Sequence, residues 1–358
     1  MIKFLHAADL HLDTTFSGGG AERRQEQRQM VTELLELADA QTCDLVLLAG
    51  DLFEGENVYP ETRAALRRAL AACRAQIFIA PGNHDYLWRG SPYVTDQWPE
   101  NVHIFKESAI EAVTIRDLGC RVYGAGFTNA HMGGLLTGFR TEQDGLFNLM
   151  VLHGDAATAD SAYNPITKAE IEESGLDYLA LGHIHLREAP HTVGKTTYAW
   201  PGCPMGRGFD ETGEKGVYIG TLDQSGCKLT FHPLSVRKYE DLEVRADGNA
   251  LESILAKLPE NTENDIYRIT LTGQSDPTDI AALRDALEPR FYKLILRDRT
   301  EPLLDLWEGA GENTLRGQFL ARLQAQLGGA DDETQRKIRL AAKIGLAALE
   351  GRDEVIDA

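Results

Sequence analysis

Seven side chains, Asp9, His11, Asp51, Asn83, His153, His183 and His185, share one kind of position. Each stands at the end of a short apolar run, in "FLHAADLHLD", "LVLLAGD", "IFIAPGNHD", "LMVLHGD" and "YLALGHIH". All are oxygen or imidazole donors and none is a thiolate. That mixture suits Mn2+, Fe or Zn2+ better than Ca2+, which takes oxygen alone, or a structural zinc site, which usually takes sulfur. The set is too large for one first-row ion that keeps open positions, and one carboxylate can bridge two ions. Two ions about 3.5 to 4 Å apart clamp the attacking and leaving oxygens of an in-line phosphoryl displacement. The expected chemistry is hydrolysis of a phosphate ester with two divalent ions, Mn2+ first among them and Fe or Zn2+ as alternatives.

Such donors work only if the chain gathers them. Residues 2 to 8 read as a first strand. "QMVTELLELADA" places Met30, Val31, Leu34, Leu35 and Ala38 on one helical face, and "DLVLLAGD" is an apolar run suited to a strand buried on both sides. A helix at "ETRAALRRALAAC" precedes the strand of "AQIFIAPGNHD". Further strands are expected at "VHIF", "CRVYGAGF", "FNLMVLHGD" and "DYLALGHIH", with a helix at "TKAEIEESG". This alternation is the α/β pattern with a parallel sheet. Ligands of open α/β sheets bind outside the carboxyl ends of the strands, so these strand ends can converge on one site. Gly50, Gly82, Gly154 and Gly182 adjoin the donors, where a missing Cβ permits the reversal from strand to loop.

From about residue 187 the texture changes. "TTYAWPG", "KGVYIGTLD", "CKLTFHPLS" and "RKYEDLEVR" read as successive strands, more antiparallel than wound. Beyond 236, "NALESILAKL", "DIYRITLTG", "DIAALRDALEP" and "FYKLILRDR" alternate helix and strand in a small α+β annex, and 313–350 reads as two helices broken at "GGADD". The expected domains are a catalytic unit at 1–235, a small capping domain at 236–300 and a helical segment at 301–358 suited to partner docking.

Lys and Arg number 36 against 55 Asp and Glu, a net charge of −19. That balance argues against broad adhesion to anionic membranes or nucleic acid, so a phosphate-bearing substrate needs bound cations or a local basic patch. Cys43, Cys73, Cys120, Cys203 and Cys227 are odd in number and contain no C-x-x-C pair, which suggests neither a disulfide framework nor a thiolate metal site. The opening apolar segment is too short for a signal peptide, and no run approaches the roughly 18 residues of a membrane span. The expectation is a cytoplasmic protein without a membrane partner.

The order D-x-H, G-D, G-N-H-D, H-G, G-H-x-H, each after a strand, resembles the calcineurin-like metallophosphoesterases. The resemblance is closest to their DNA-repair exonuclease branch, the SbcD type and its bacterial YhaO type, through "HAADLHLD", "GDLF", "PGNHD", "DYLALGHIH" and "PGCPMGRGFDETGEKG". It implies a layered sheet sandwich flanked by helices. It also implies that Asp9, His11 and His185 hold one ion, that Asn83, His153 and His183 hold the other, and that Asp51 bridges them. His84 would contact the scissile phosphate and assist the leaving group. DNA as substrate, an SMC-like ATPase as partner and a homodimer through the early helices are further implications. The chain departs from some relatives at Glu54, where they carry a histidine, and at Cys203, where Asn or Ser is expected.

Lone histidines in strands are usually packed or solvent-facing, so His6, His103, His131, His191 and His232 are read as structural. Arg207 is a candidate substrate contact and Lys215 a second, both in a Gly-rich loop that is more often a solvated turn. Cys203 has no base assigned to it, and Tyr86, Trp88 and Phe127 are read as packing residues. Two other functions stay open at this point: a phosphodiesterase for a cyclic nucleotide or dinucleotide, and a catalytically degenerate scaffold of the same fold.

Overall fold

The computed structural model describes residues 1–16, 20–158, 160–234, 237–246, 249–275, 279–302 and 306–349. Two compact units are present, Met1–Ser235 and Val236–Ala358.

The first unit begins with β1 (Ile2–Ala7), α1 (Gly20–Ala40), β2 (Leu45–Leu48), α2 (Pro60–Ala72), β3 (Gln76–Ile79), α3 (Pro92–Thr95) and β4 (Val102–Ile104). It continues with β5 (Glu111–Ile115), β6 (Cys120–Gly124), β7 (Phe147–His153), α4 (Lys168–Ser174) and β8 (Tyr178–Gly182). β9 (His191–Val193), β10 (Thr196–Ala199), β11 (Gly216–Asp223) and β12 (Gly226–Pro233) complete it. One sheet runs β12-β11-β1-β2-β3-β4 and the other β5-β6-β7-β8-β10-β9. β1 to β4 are mutually parallel, as are β6, β7, β8 and β10. β11 and β12 extend the first sheet antiparallel, and β5 and β9 form antiparallel edges of the second.

Strand periodicity explains why the central runs are apolar throughout. Leu45 and Leu47 face the interior with Phe4, Phe78, Val122, Leu149 and Val151, whereas Val46 and Leu48 pack with Leu34, Leu66 and Leu70 of α1 and α2. Met150 and Leu152 of β7 turn the other way, toward Ile171 of α4 and Trp200. Both faces of each central strand are therefore covered, each buried Leu or Val contributing about 1.5 to 3 kcal/mol. Local signals set the helix ends. α2 starts at Pro60, and α4 has a capping box between Thr167 and Glu170 and ends at left-handed Gly175.

β5 and β9 were not expected, because edge strands with mostly half-exposed or exposed side chains carry little apolar signal. "RKYEDLEVR" requires a correction: it does not prolong the antiparallel series but opens the second unit as β13 (Tyr239–Arg245). There follow α5 (Ala250–Leu255), β14 (Ile266–Thr272), β15 (Gln274–Ser275), α6 (Ile280–Leu287), β16 (Lys293–Asp298) and β17 (Glu301–Pro302). β13, β14 and β16 are all parallel, a wound arrangement rather than the α+β annex expected, because α5 and α6 serve as crossovers. Ile254, Ile269, Leu271, Leu283, Leu287 and Leu296 form its core. α7 (Leu315–Gln324) and α8 (Asp332–Leu349) pack where Gly345 leaves room for the ring of Phe319. Lys343 anchors α8 to Asp298 at 2.8 Å. Of the segment expected at 301–358, residues 303–305 and 350–358 lie outside the described residues.

Candidate metal centre

The donors sit at or just beyond the ends of strands of both sheets, and the backbone of several is bent in an unusual way. Asp9, His11, Asp51 and His183 have φ of 55, 43, 52 and 98°, the left-handed region that non-glycine residues seldom occupy. The loops after β1 and β2 are zipped by Asp9 N–H to Gly50 O (3.0 Å), His11 N–H to Asp51 O (2.9 Å) and Leu12 N–H to Leu52 O (2.8 Å). Across the sandwich, His183 N–H donates to both Asp9 carboxylate oxygens. Close approach demands glycine at two places. A Cβ on Gly182 would lie 1.9 Å from Ala49 O, and one on Gly82 would lie 2.2 Å from Asp51 Oδ1.

All seven expected donors are brought together. One ligand atom from each of Asp9, His11, Asp51 and His185 lies within 4.8 Å of the others. His11 Nε2 is 3.1 Å from His185 Nε2, and His185 Nε2 is 3.9 Å from Asp9 Oδ1. On the other side, His153 Nε2 is 2.9 Å from Asn83 Oδ1 and 3.3 Å from Asp51 Oδ2. The ring of His183 stands 5.4 Å from that of His153. His153 Nδ1 donates to Ala49 O at 2.9 Å, which turns Nε2 toward the acceptors Asn83 and Asp51. Acceptors so arranged call for positive charge, which a proton on His153 or a bound cation supplies, and oxygen plus imidazole is the donor chemistry of a first-row divalent ion. The residues fit a divalent metal ion.

The electrostatics agree. Burial alone would raise the Asp51 carboxyl, yet the charge and hydrogen bond of His153, with His11 and His84, hold it well below the usual carboxylate range. Burial works against charge on His153, but Asp51 and Asp9 hold its pKa up at about 9. His84 is displaced upward, first by its hydrogen bond to Glu54, and its side chain is 41% exposed.

Several residues that shape this centre were missed in the sequence. Glu54 Oε2 accepts from His11 Nδ1 at 2.7 Å while Oε1 accepts from His84 Nδ1 at 3.0 Å. Its spacing, three residues beyond Asp51 in "GDLFE", was the available signal. Asp85 is buried and accepts from the backbone N–H of Leu52, Phe53 and Gly82 and from Tyr93 Oη, tying the loop after β3 to that after β2. Glu211 is buried and lies 2.9 Å from His185 Nδ1, which also meets Arg207 Nη2 at 2.8 Å. Asn164 supports His153 by donating to its carbonyl at 2.8 Å. Trp200 Nε1 donates to Gly154 O (3.2 Å) and Gly182 O (3.1 Å), pinning the ends of β7 and β8.

Arg207 reaches the centre but engages Glu211 and Glu54, and Lys215 is buried. Burial pushes the Cys203 thiol far up, which removes it as a nucleophile. Phe127 is buried edge-on to His153, and Trp88 is 40% exposed. Of the histidines read as structural, His6 is buried between Tyr178 Oη and Leu181 O, and His191 stacks on Tyr198. His103 adjoins Phe78 and Phe105, and His232 lies in β12. His131 stacks on Tyr163, whose ring in turn lies on His183.

A sheet sandwich that delivers carboxylate, amide and imidazole donors from parallel strand ends defines a metal-dependent hydrolase of phosphate esters. The chain belongs to the calcineurin-like phosphoesterase family, whose model matches residues 2–187. It is 33% identical over 237 residues to the uncharacterized metallophosphoesterase YhaO of Bacillus subtilis strain 168, covering 61% of this chain and 57% of that protein. It is 22% identical over 316 residues to the SbcD component of the nuclease SbcCD of Staphylococcus epidermidis, covering 78% of this chain and 81% of the relative. With the DNA double-strand break repair protein Mre11 of Sulfolobus acidocaldarius it shares 26% identity over 321 residues, 82% of each chain.

Proposed function

We propose that this protein is a two-metal phosphodiesterase that cleaves DNA in a cytoplasmic repair process. The observation that carries the binuclear part is the place of one oxygen, Asp51 Oδ2, 3.7 Å from His11 Nε2 and 3.3 Å from His153 Nε2. Asp51 is thus the shared ligand, with Asp9, His11 and His185 on one ion and Asn83, His153 and His183 on the other. Two bound divalent ions, Mn2+ in our reading, would neutralise the diester and activate a water for in-line attack. Glu54 takes one ring N–H of His84 and favours its cationic form, leaving Nε2 to donate to the leaving oxygen.

DNA as substrate is supported by the names of the Staphylococcus and Sulfolobus relatives, and a further protein partner by the former being one component of a larger nuclease. We assign catalysis to 1–235, capping to 236–300 and docking of an SMC-like ATPase to the helices beyond 301, and we take the protein as a homodimer. Five free cysteines among the described residues, four of them buried, suit a reducing compartment. No helix of the described residues is long and apolar enough to cross a membrane.

The test is hydrolysis of linear DNA, a cyclic nucleotide and an aryl phosphodiester with Mn2+, Mg2+ or chelator, with and without a candidate ATPase. Mn2+-dependent, chelator-sensitive DNA cleavage is expected. The net charge of −19 favours a second reading, a small-molecule diesterase, and turnover of the cyclic nucleotide with no DNA cleavage would select it.

A further inference from the structure

The loop between β10 and β11 carries Arg207 and Glu211, whose side chains turn inward rather than to solvent. Glu211 is 2% exposed. Arg207 Nε meets its two oxygens at 3.0 and 3.2 Å, Nη2 meets Oε1 at 2.5 Å, and the backbone N–H of Arg207 donates to Oε2 at 2.8 Å. The other arm of the guanidinium, Nη1, donates to Glu54 Oε2 at 3.1 Å. One arginine therefore spans two carboxylates, and each lies against a histidine of the first ion's set: Glu54 on His11 Nδ1 at 2.7 Å, with His84 on its other oxygen, and Glu211 beside His185 Nδ1 at 2.9 Å.

The proton positions matter. A ring N–H given to a carboxylate at Nδ1 leaves Nε2 free to ligate, and the two Nε2 atoms, within hydrogen-bond distance of each other at 3.1 Å, are the pair that meet in the candidate centre. His185 Nδ1 also lies 2.8 Å from Arg207 Nη2. Were Nδ1 to accept from the guanidinium instead, the proton would sit on Nε2 and block it. With an ion at Nε2 the proton must sit on Nδ1, where Glu211 at 2.9 Å is the acceptor in reach, and Arg207 holds Glu211 in place. A guanidinium committed in this way has little left for a substrate phosphate.

We propose that Glu54, Arg207 and Glu211 form one bridge that fixes the tautomers and orientations of His11 and His185, with Arg207 a positioning residue and not a phosphate contact. The proposal rests on the binuclear reading above, and it is selective: the bridge touches neither Asn83, His153 nor His183. Calorimetric Mn2+ titration of the full chain, without substrate, tests it in the parent, Glu211→Gln, Arg207→Ala and Arg207→Lys. The parent is expected to bind two ions. Glu211→Gln should weaken one of them by about 10- to 100-fold and leave the other within about twofold. Adding Arg207→Ala to Glu211→Gln should leave the loss confined to the same ion, since His11 and His185 both belong to it. Arg207→Lys keeps the charge and the fold but cannot span two carboxylates, so it should show the same one-ion loss. Variants that bind both ions like the parent, with only KM for an aryl phosphodiester raised, would overturn the bridge and restore Arg207 as a phosphate contact. A parent that binds no ion would overturn the binuclear reading itself, and the bridge with it.

Discussion

The backbone N–H of His183 is shared between the two carboxylate oxygens of Asp9, at 3.0 and 3.1 Å, so a residue following the first strand of one sheet is bound to a residue following β8 of the other. The centre exists only while the two sheets are in register. Asp9→Asn keeps one acceptor oxygen and should cost about 1 kcal/mol of stability, while Mn2+ affinity falls more than about tenfold. Thermal melts alongside metal titration separate the two effects.

His84 and Asp51 are neighbours with different tasks. His84→Gln should bind metal like the parent and lose about 100- to 10,000-fold in turnover of a diester. Asp51→Asn should lose both, because the oxygen shared by the two halves loses its charge. Equal turnover of His84→Gln and the parent would refute the leaving-group role.

Gly182 has no room to grow. In Gly182→Ala the new methyl would meet Ala49 O at 1.9 Å, so β2 and β8 must part. A loss of about 3 kcal/mol is expected from overpacking, read as a lowered midpoint in urea, with metal binding impaired in the protein that remains folded.

His6 makes stability depend on pH. Its ring is fully buried, and burial, only partly offset by the Leu181 carbonyl, lowers its pKa from 6.5 to about 3. The unfolded chain therefore takes up the proton first. Stability is full above about pH 6.5 and declines as pH falls toward 3, by about 2 kcal/mol at pH 5. Urea midpoints at pH 7.5 and pH 5 should differ less in His6→Gln than in the parent.

Much of this was legible in the residues. Continuous apolar runs such as "LVLL" marked strands covered on both faces, and the donors behind them marked where those strands end. β5, β9 and the parallel pairing of β13 escaped because edge strands lack apolar signal, and because parallel or antiparallel neighbours are decided by what lies between them. At the site, donors could be read because their types are rare after a buried run. Glu54, Asp85 and Glu211 could not, since a carboxylate in a loop looks like any solvated acid until its partners, up to 153 residues apart for Glu54 and Arg207, are brought beside it.

The indole of Trp200 grips the carbonyls of Gly154 and Gly182, each next in sequence to a histidine of the candidate centre. That contact gives the protein a built-in optical gauge. A shift of those two strand ends changes the polarity around this indole, and emission from a variant that keeps Trp200 as its one tryptophan would register it.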